Sequence, residues 1–219
     1  MNNIDLINYW NVVLMLLVSY LFGSIPSSVW IGRAFYDTDV REHGSMNAGA
    51  TNTFRVLGKT VGTAVLTLDV LKGFFAVYLV KTLLDSTTYN VNPYLWLILA
   101  GIMAVIGHLF PLFAGFRGGK GVATSLGMVL CIHPEAALCA LCVFLLIFVS
   151  TGYVSAGSII ASLSFPLFLL IKLFGPESPI LIIFGFMMFV LVVYTHRKNV
   201  VRLLNGNENR FYILRKKPQ

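Results

Sequence analysis

The stretch GFRGGKGVATSLGMVLCIHP, residues 115–134, decides how the chain is threaded. Its first part is basic and glycine-rich. The apolar run that follows, Gly121 to Ile132, is short against the ~20 residues of a helix that crosses a bilayer. If this run crosses, everything after it changes sides.

Outward from that stretch the chain is strongly apolar. Of its 219 residues, 57% are hydrophobic and 11% charged, with a mean hydropathy of +0.81. A soluble domain carries roughly 25% charged residues, so the composition points to an integral membrane protein. Apolar runs near 8–30, 61–80, 94–114, 134–150, 157–173 and 178–195 approach the length of a span, and 121–132 is a seventh candidate. Met1 to Trp10 carries only Asp5 as a charge, without the basic start of a secretory leader, so the first run is expected to be retained.

Charge settles the count. With seven spans and the N-terminus outside, Arg33, Arg41, Arg55, Lys59, Arg117, Lys120 and the seven basic residues from Arg197 to Lys217 all face the cytoplasm. Lys81 and Lys172 are then outside, and Lys72 lies within a helix. Six spans would part Arg117 and Lys120 from the basic tail. The expectation is an all-α integral membrane protein: a seven-transmembrane-helix bundle, N-terminus outside and C-terminus cytoplasmic, with one short helix after the GGKG loop. It forms a single membrane-embedded domain over 1–219, of which 203–219 is a basic cytoplasmic tail.

This threading gathers three polar segments on one face, where they could build one site. In VREHGSMNAGATNTFRVLGK, residues 40–59, the glycines allow close backbone approach. Ser45, Asn47, Thr51 and Asn52 offer donors, and Arg41 and Arg55 offer positive charge. Arginines meeting lipid headgroups would explain the charges but not the density of Gly, Ser and Asn. In GFRGGKG, Gly118, Gly119 and Gly121 surround Lys120 just before a helix, so backbone N–H groups, a helix start and an ammonium could converge on a phosphate. It is not a nucleotide P-loop, because Ala114 stands where the first glycine is needed and Gly121 follows the lysine. In THRKNVVR, residues 195–202, His196 and Asn199 share a helical face, and the histidine reads equally as an interfacial residue or as part of a site.

Within the second span Asp69 and Lys72, at i and i+3, are expected to pair and to support the polar loops. GSIPSS at 23–28 and GHLFP at 107–111 interrupt helices and free backbone groups that neighbours must satisfy. Cys131, Cys139 and Cys142 read as small apolar residues, since no further Cys or His has the spacing of a zinc site. The chain contains no GxSxG elbow, no HExxH, and no HxxxxD pair to activate a hydroxyl.

In order and spacing, GSIPSS, DVREHGSMNAGATNTFRVLGK, LDVLKG, GHLFPLFAGFRGGKGVATSLG and THRKNVVRLLNGNENRF closely resemble the bacterial acyl-phosphate-dependent glycerol-3-phosphate acyltransferases, over about residues 20–211. The resemblance implies a seven-helix enzyme of the bacterial cytoplasmic (inner) membrane, multi-pass, with its active site on the cytoplasmic face. It implies transfer of a fatty acyl group from acyl phosphate to the sn-1 hydroxyl of glycerol 3-phosphate. Lysophosphatidic acid and phosphate result, in the first acylation of phospholipid biosynthesis. No cofactor and no metal are implied. Acyl phosphate, glycerol 3-phosphate and membrane lipids are the partners, together with a functional link to the enzyme that forms the acyl phosphate, and nucleic acid is not among them. Residue by residue, Ser45, Arg55, Lys120, His196 and Asn199 fall on the family's functional positions; Asn47, Gly118 and Gly119 complete the substrate-binding set, and Lys120, His196 and Arg55 the catalytic one. Met46 stands where the family's G-S-G-N motif has glycine, so a positive φ there would strain it. The competing expectation is a transporter or channel for a small phosphorylated solute, whose broken helices would look similar.

Overall fold

The computed structural model describes residues 3–85 and 93–211, so Arg215, Lys216 and Lys217 of the expected 203–219 tail lie outside the described residues. Among those described, the chain forms ten α-helices and no strand. Two compact units divide it, Met1–His133 and Pro134–Gln219.

In the first unit, α1 (Asn3–Gly23) and α2 (Ser27–Tyr36) replace the single expected run near 8–30. Pro26 has no N–H to continue the helical ladder, and the pair bends by 41° there. The Ile25 carbonyl freed by the break accepts a hydrogen bond from Lys72 Nζ at 2.9 Å. The polar segment 40–59 is not a simple loop. It holds a 3-10 turn, Val40–Glu42, and a short helix, α3 (Ala50–Val56). Then come α4 (Gly58–Asp85), α5 (Pro93–Leu109), which stops ahead of Pro111, and α6 (Val122–Ile132), the short helix expected after the GGKG loop. At 1.5 Å per residue α6 is about 16 Å long, roughly half the hydrocarbon thickness.

Lipid tails give apolar helices little reason to pair, so close packing through small residues supplies it. A Cβ at Gly73 of α4 would land on the Thr124 carbonyl of α6, and one at Gly127 of α6 on the Val70 carbonyl of α4. The crossing of α1 and α5 repeats the device: Gly23 abuts the Ala104 carbonyl and Gly107 the Tyr20 carbonyl.

In the second unit, α7 (Pro134–Thr151) packs on α8 (Val154–Leu170), and α8 on α9 (Pro179–Thr195), with Gly185 of α9 seated against Pro166. A 66° bend at His196 starts α10 (Arg197–Leu204). Beyond α10 the chain returns to the α7–α8 turn, where Phe211 N–H donates to the Gly152 carbonyl at 2.8 Å.

Three segments, Gly58–Leu84, Tyr94–Ala114 and Pro134–Thr151, are long and apolar enough to cross a membrane, and the two bent pairs bring the number to five. Val122–Ile132 and Val154–Leu170 are shorter apolar helices. The protein is multi-pass.

Candidate active site

The loop that carries Ser45 is built around Asn52, a buried residue of α3. Its Nδ2 donates to the Val40 carbonyl at 2.6 Å and the His43 carbonyl at 3.0 Å, while its Oδ1 accepts the Ser45 N–H at 2.7 Å. Asn52 is therefore a brace rather than a donor offered to an anion, which corrects the sequence reading. Ser28 Oγ donates to the Ala48 carbonyl at 2.7 Å and ties the loop to α2. Asn47 Oδ1 accepts the Gly49 N–H at 3.0 Å, an Asx-type turn that leads into α3. These ties leave Ser45 and Met46 exposed at the tip, and Met46 does adopt a positive φ, 57°.

Arg41 also departs from its expected role. Its side chain is 9% exposed and sits 2.8 Å from Asp39 Oδ2, while Nη1 donates to the Ala114 carbonyl at 2.6 Å and to that of Arg117 at 3.3 Å. The hydrogen bond from Arg41 outweighs burial and holds the Asp39 carboxyl well below the usual carboxylate range; the same bond pushes Arg41 up. Arg41 thus fastens the Ser45 loop to the loop before GGKG, two segments far apart in sequence.

The Gly118 and Gly119 N–H groups do not point to an anion site. Gly118 N–H donates to the Leu109 carbonyl at 3.2 Å and Gly119 N–H to the His108 carbonyl at 3.1 Å, folding the loop back on the end of α5. A Cβ at Gly118 would meet the His108 carbonyl, and one at Gly119 the His108 ring, so glycine is needed here for closeness. Gly121, at φ 81°, then opens α6 immediately after Lys120. Lys120 is half-buried at the positive end of that helix, and Arg55 is exposed on the last turn of α3. A small cavity is lined by Ala48, Gly118, Gly119, Asp69, Lys72 and His108. The first unit therefore brings the Ser45–Asn47 loop and the GGKG loop together.

In the second unit, His196 occupies the break between α9 and α10 and is 3% exposed. Its Nδ1 lies 2.9 Å from the Val192 carbonyl. A carbonyl can only accept, so Nδ1 carries a hydrogen; when the ring is neutral, Nε2 then bears the lone pair. Asn199, one turn on, is buried, and its Nδ2 donates to Glu208 Oε1 at 2.6 Å. Burial opposes ionisation of Glu208, yet hydrogen bonds from Arg202, Asn199 and Ser155 prevail and hold its carboxyl below the ordinary range. Sequence reasoning missed Glu208 and Ser155; the one signal was a lone acid in the polar, glycine-containing segment NGNENR, residues 205–210, of an otherwise basic C-terminal stretch. Among the described residues no three His, Cys, Asp or Glu side chains are grouped so as to hold a metal ion.

A family model described as Glycerol-3-phosphate acyltransferase matches residues 13–206. The glycerol-3-phosphate acyltransferase of Listeria welshimeri is 48% identical over 199 residues, covering 90% of this chain and 96% of that one. That of Fusobacterium nucleatum is 43% identical over 196 residues, with the same two coverages. Among solved structures, a crystal structure of PlsY, an integral membrane glycerol 3-phosphate acyltransferase in its glycerol 3-phosphate form, matches with a TM-score of 0.83 at 37% identity. The match covers 93% of this chain and 97% of that one. A lysophosphatidic acid form of the same protein matches with a TM-score of 0.80 at 36% identity, with the same coverages.

Proposed function

The chain belongs to the glycerol-3-phosphate acyltransferase family, and from that premise we propose that its acyl donor is an acyl phosphate and its acceptor the sn-1 hydroxyl of glycerol 3-phosphate. The products are lysophosphatidic acid and inorganic phosphate. That it is an integral membrane acyltransferase follows from the family; donor, position and residue roles are the proposal. The transport reading is not favoured, since each relative above is an acyltransferase.

The reaction forms one ester bond and breaks one mixed anhydride. The hydroxyl oxygen attacks the acyl carbon, the carbonyl carbon–phosphate oxygen bond breaks, and phosphate leaves with the electron pair. Phosphate is a good leaving group, so positioning and charge stabilisation can replace a strong base. The absence of an HxxxxD pair supports this donor over a thioester. The hydroxyl proton goes to Nε2 of His196 or to a substrate phosphate, whose second pKa near ~6 suits it to that task; the second route needs no activated protein base.

The observation that carries the site assignment is the Arg41 tie. With Arg41 committed to Asp39 and to backbone carbonyls, the reading gives the substrates' negative charge to Arg55 and Lys120. Ser45 and Asn47 at the neighbouring loop tip bind phosphate oxygens, and Gly118 and Gly119 hold Lys120 in place. His196 and Asn199 contact glycerol 3-phosphate. The chain is a single acyltransferase domain, as the family match running through both units supports. It crosses the bacterial cytoplasmic membrane seven times, the two shorter apolar helices included, with its N-terminus outside, its C-terminus inside and its active site on the cytoplasmic face. Basic residues in the polar segments support that orientation.

Purified protein incubated with glycerol 3-phosphate and either palmitoyl phosphate or palmitoyl-CoA tests the reading. Lysophosphatidic acid and phosphate should appear with the first donor and not the second. Equal rates with both would overturn the donor assignment.

A further inference from the structure

One acid in the segment after α10, Glu208, is only 9% exposed. A buried carboxylate is costly unless donors surround it. Here three side chains do so: Asn199 Nδ2 donates to Oε1 at 2.6 Å, Ser155 Oγ donates to the same oxygen at 2.9 Å, and Arg202 Nε donates to Oε2 at 2.7 Å. The backbone on either side is pinned as well. Asn207 N–H donates to the Arg202 carbonyl at 2.8 Å, Phe211 N–H reaches Gly152, and the Phe211 ring lies 6.0 Å from that of Phe148. Glu208 is a fixed point of the second unit.

A carboxylate accepts hydrogen bonds and cannot donate them. A carboxamide has two nearly equivalent orientations about its last torsion, one presenting NH2 and the other oxygen. Against a fixed carboxylate only the NH2 end is tolerated. Glu208 therefore decides which end of Asn199 faces inward to α8 and which is turned away from it.

We propose that Glu208 is a positioning residue for acyl transfer, setting the orientation of the Asn199 carboxamide toward glycerol 3-phosphate. This rests on the reading that Asn199 contacts that substrate. Glutamine at 208 would keep the shape but could present either an oxygen or an NH2 group, so the fixed polarity would be lost without opening a cavity. A purely structural acid would behave differently: its loss would lower the amount of active enzyme and leave substrate affinity alone.

The test is steady-state kinetics on the full chain, with palmitoyl phosphate and glycerol 3-phosphate, for the unaltered protein, Asn199→Ala, Glu208→Gln and the double variant. Each single change should raise the KM for glycerol 3-phosphate about tenfold and leave the KM for palmitoyl phosphate within about twofold; the double should be no worse than the worse single, because the same contact is lost once. A KM unchanged in Glu208→Gln while Asn199→Ala raises it, or effects that multiply in the double, would overturn the proposal alone. An unchanged KM in Asn199→Ala would instead sink the substrate contact on which it rests. Should Glu208→Gln fail to fold, Glu208→Asp keeps the charge but withdraws it by one methylene. It should raise the same KM by a smaller factor, and a loss confined to kcat would count against the proposal.

Discussion

Lys72 Nζ lies 2.8 Å from Asp69 Oδ1 inside the first unit, with the two side chains 5% and 2% exposed. The same ammonium holds the carbonyl of Ile25 at the α1–α2 break, and Ser27 Oγ reaches the carboxylate at 3.4 Å. An ion pair placed so is worth less for its own attraction than for what either member would cost alone. Lys72→Met should destabilise the protein by roughly 3–5 kcal/mol, because it leaves a buried carboxylate without its cation and takes one of two hydrogen bonds from the Ile25 carbonyl. Lys72→Met combined with Asp69→Leu should be milder than Lys72→Met by itself. Thermal unfolding of the unaltered protein and the two variants in detergent checks the order, and a double variant as unstable as Lys72→Met or more so would refute it.

Phosphate binding separates from general surface charge by mutation. Lys120→Ala or Arg55→Ala should each remove about 2–5 kcal/mol of transition-state stabilisation, roughly 30-fold or more in kcat/KM. Lys172→Ala, on an exposed turn far along the chain, should leave kinetics near normal. His196→Ala distinguishes the two proton acceptors: a raised KM with kcat retained points to a substrate phosphate, and a collapse of kcat alone points to the imidazole. Near-normal kinetics in both Lys120→Ala and Arg55→Ala would exclude the site.

Met46 stores strain at the loop tip. Its φ of 57° is a conformation that costs a residue with a Cβ roughly 1 kcal/mol and glycine almost nothing, and its side chain is 69% exposed, so little packing offsets that. Met46→Gly should therefore raise the unfolding temperature slightly and preserve activity. A lower unfolding temperature would show that the methionine side chain contributes more than the backbone loses.

Asp39 gives stability a defined acid limit. Its folded pKa lies below the unfolded value of about 3.9, so its contribution is complete above that value and falls away as pH drops toward the folded one. The stability gap between the unaltered protein and Asp39→Asn should be constant from neutral pH to about pH 5 and shrink below it. Unfolding temperature measured against pH reads this directly. A gap that widened in acid would contradict the Arg41–Asp39 pairing.

Sidedness can be read with thiol reagents once Cys131, Cys139 and Cys142 are replaced. With seven spans, cysteine at Leu173 should react in intact cells, and cysteine at Asn205 only after the cytoplasmic face is opened. The reverse pattern would remove the seven-span threading.

What could be read from the sequence was local. Apolar run lengths gave the all-α membrane fold, the Pro26 interruption foretold the α1–α2 break, the i, i+3 spacing of Asp69 and Lys72 foretold their pair, and a missing glycine foretold the strain at Met46. What could not be read depended on partners far along the chain. An arginine in a glycine-rich loop looks like an anion ligand until Ala114, 73 residues away, takes its Nη1 hydrogen. Gly118 and Gly119 look like phosphate donors until the end of α5 claims their N–H groups. Glu208 belongs to the same class, since its partner Ser155 is 53 residues distant. Residue type announces that a polar group needs a partner, not which one it will find.

The glycine crossing of α1 and α5 acts as a datum for the first unit. Backbone touches backbone at Gly23 and Gly107, with no side chain between to flex or repack. Sliding α5 along α1 by even an ångström would drive one of these atoms into a carbonyl. The GGKG loop hangs from the last carbonyls of α5, so the height of Lys120 is gauged from that contact. A methyl group added at Gly107 would be registered as an error of position at the lysine.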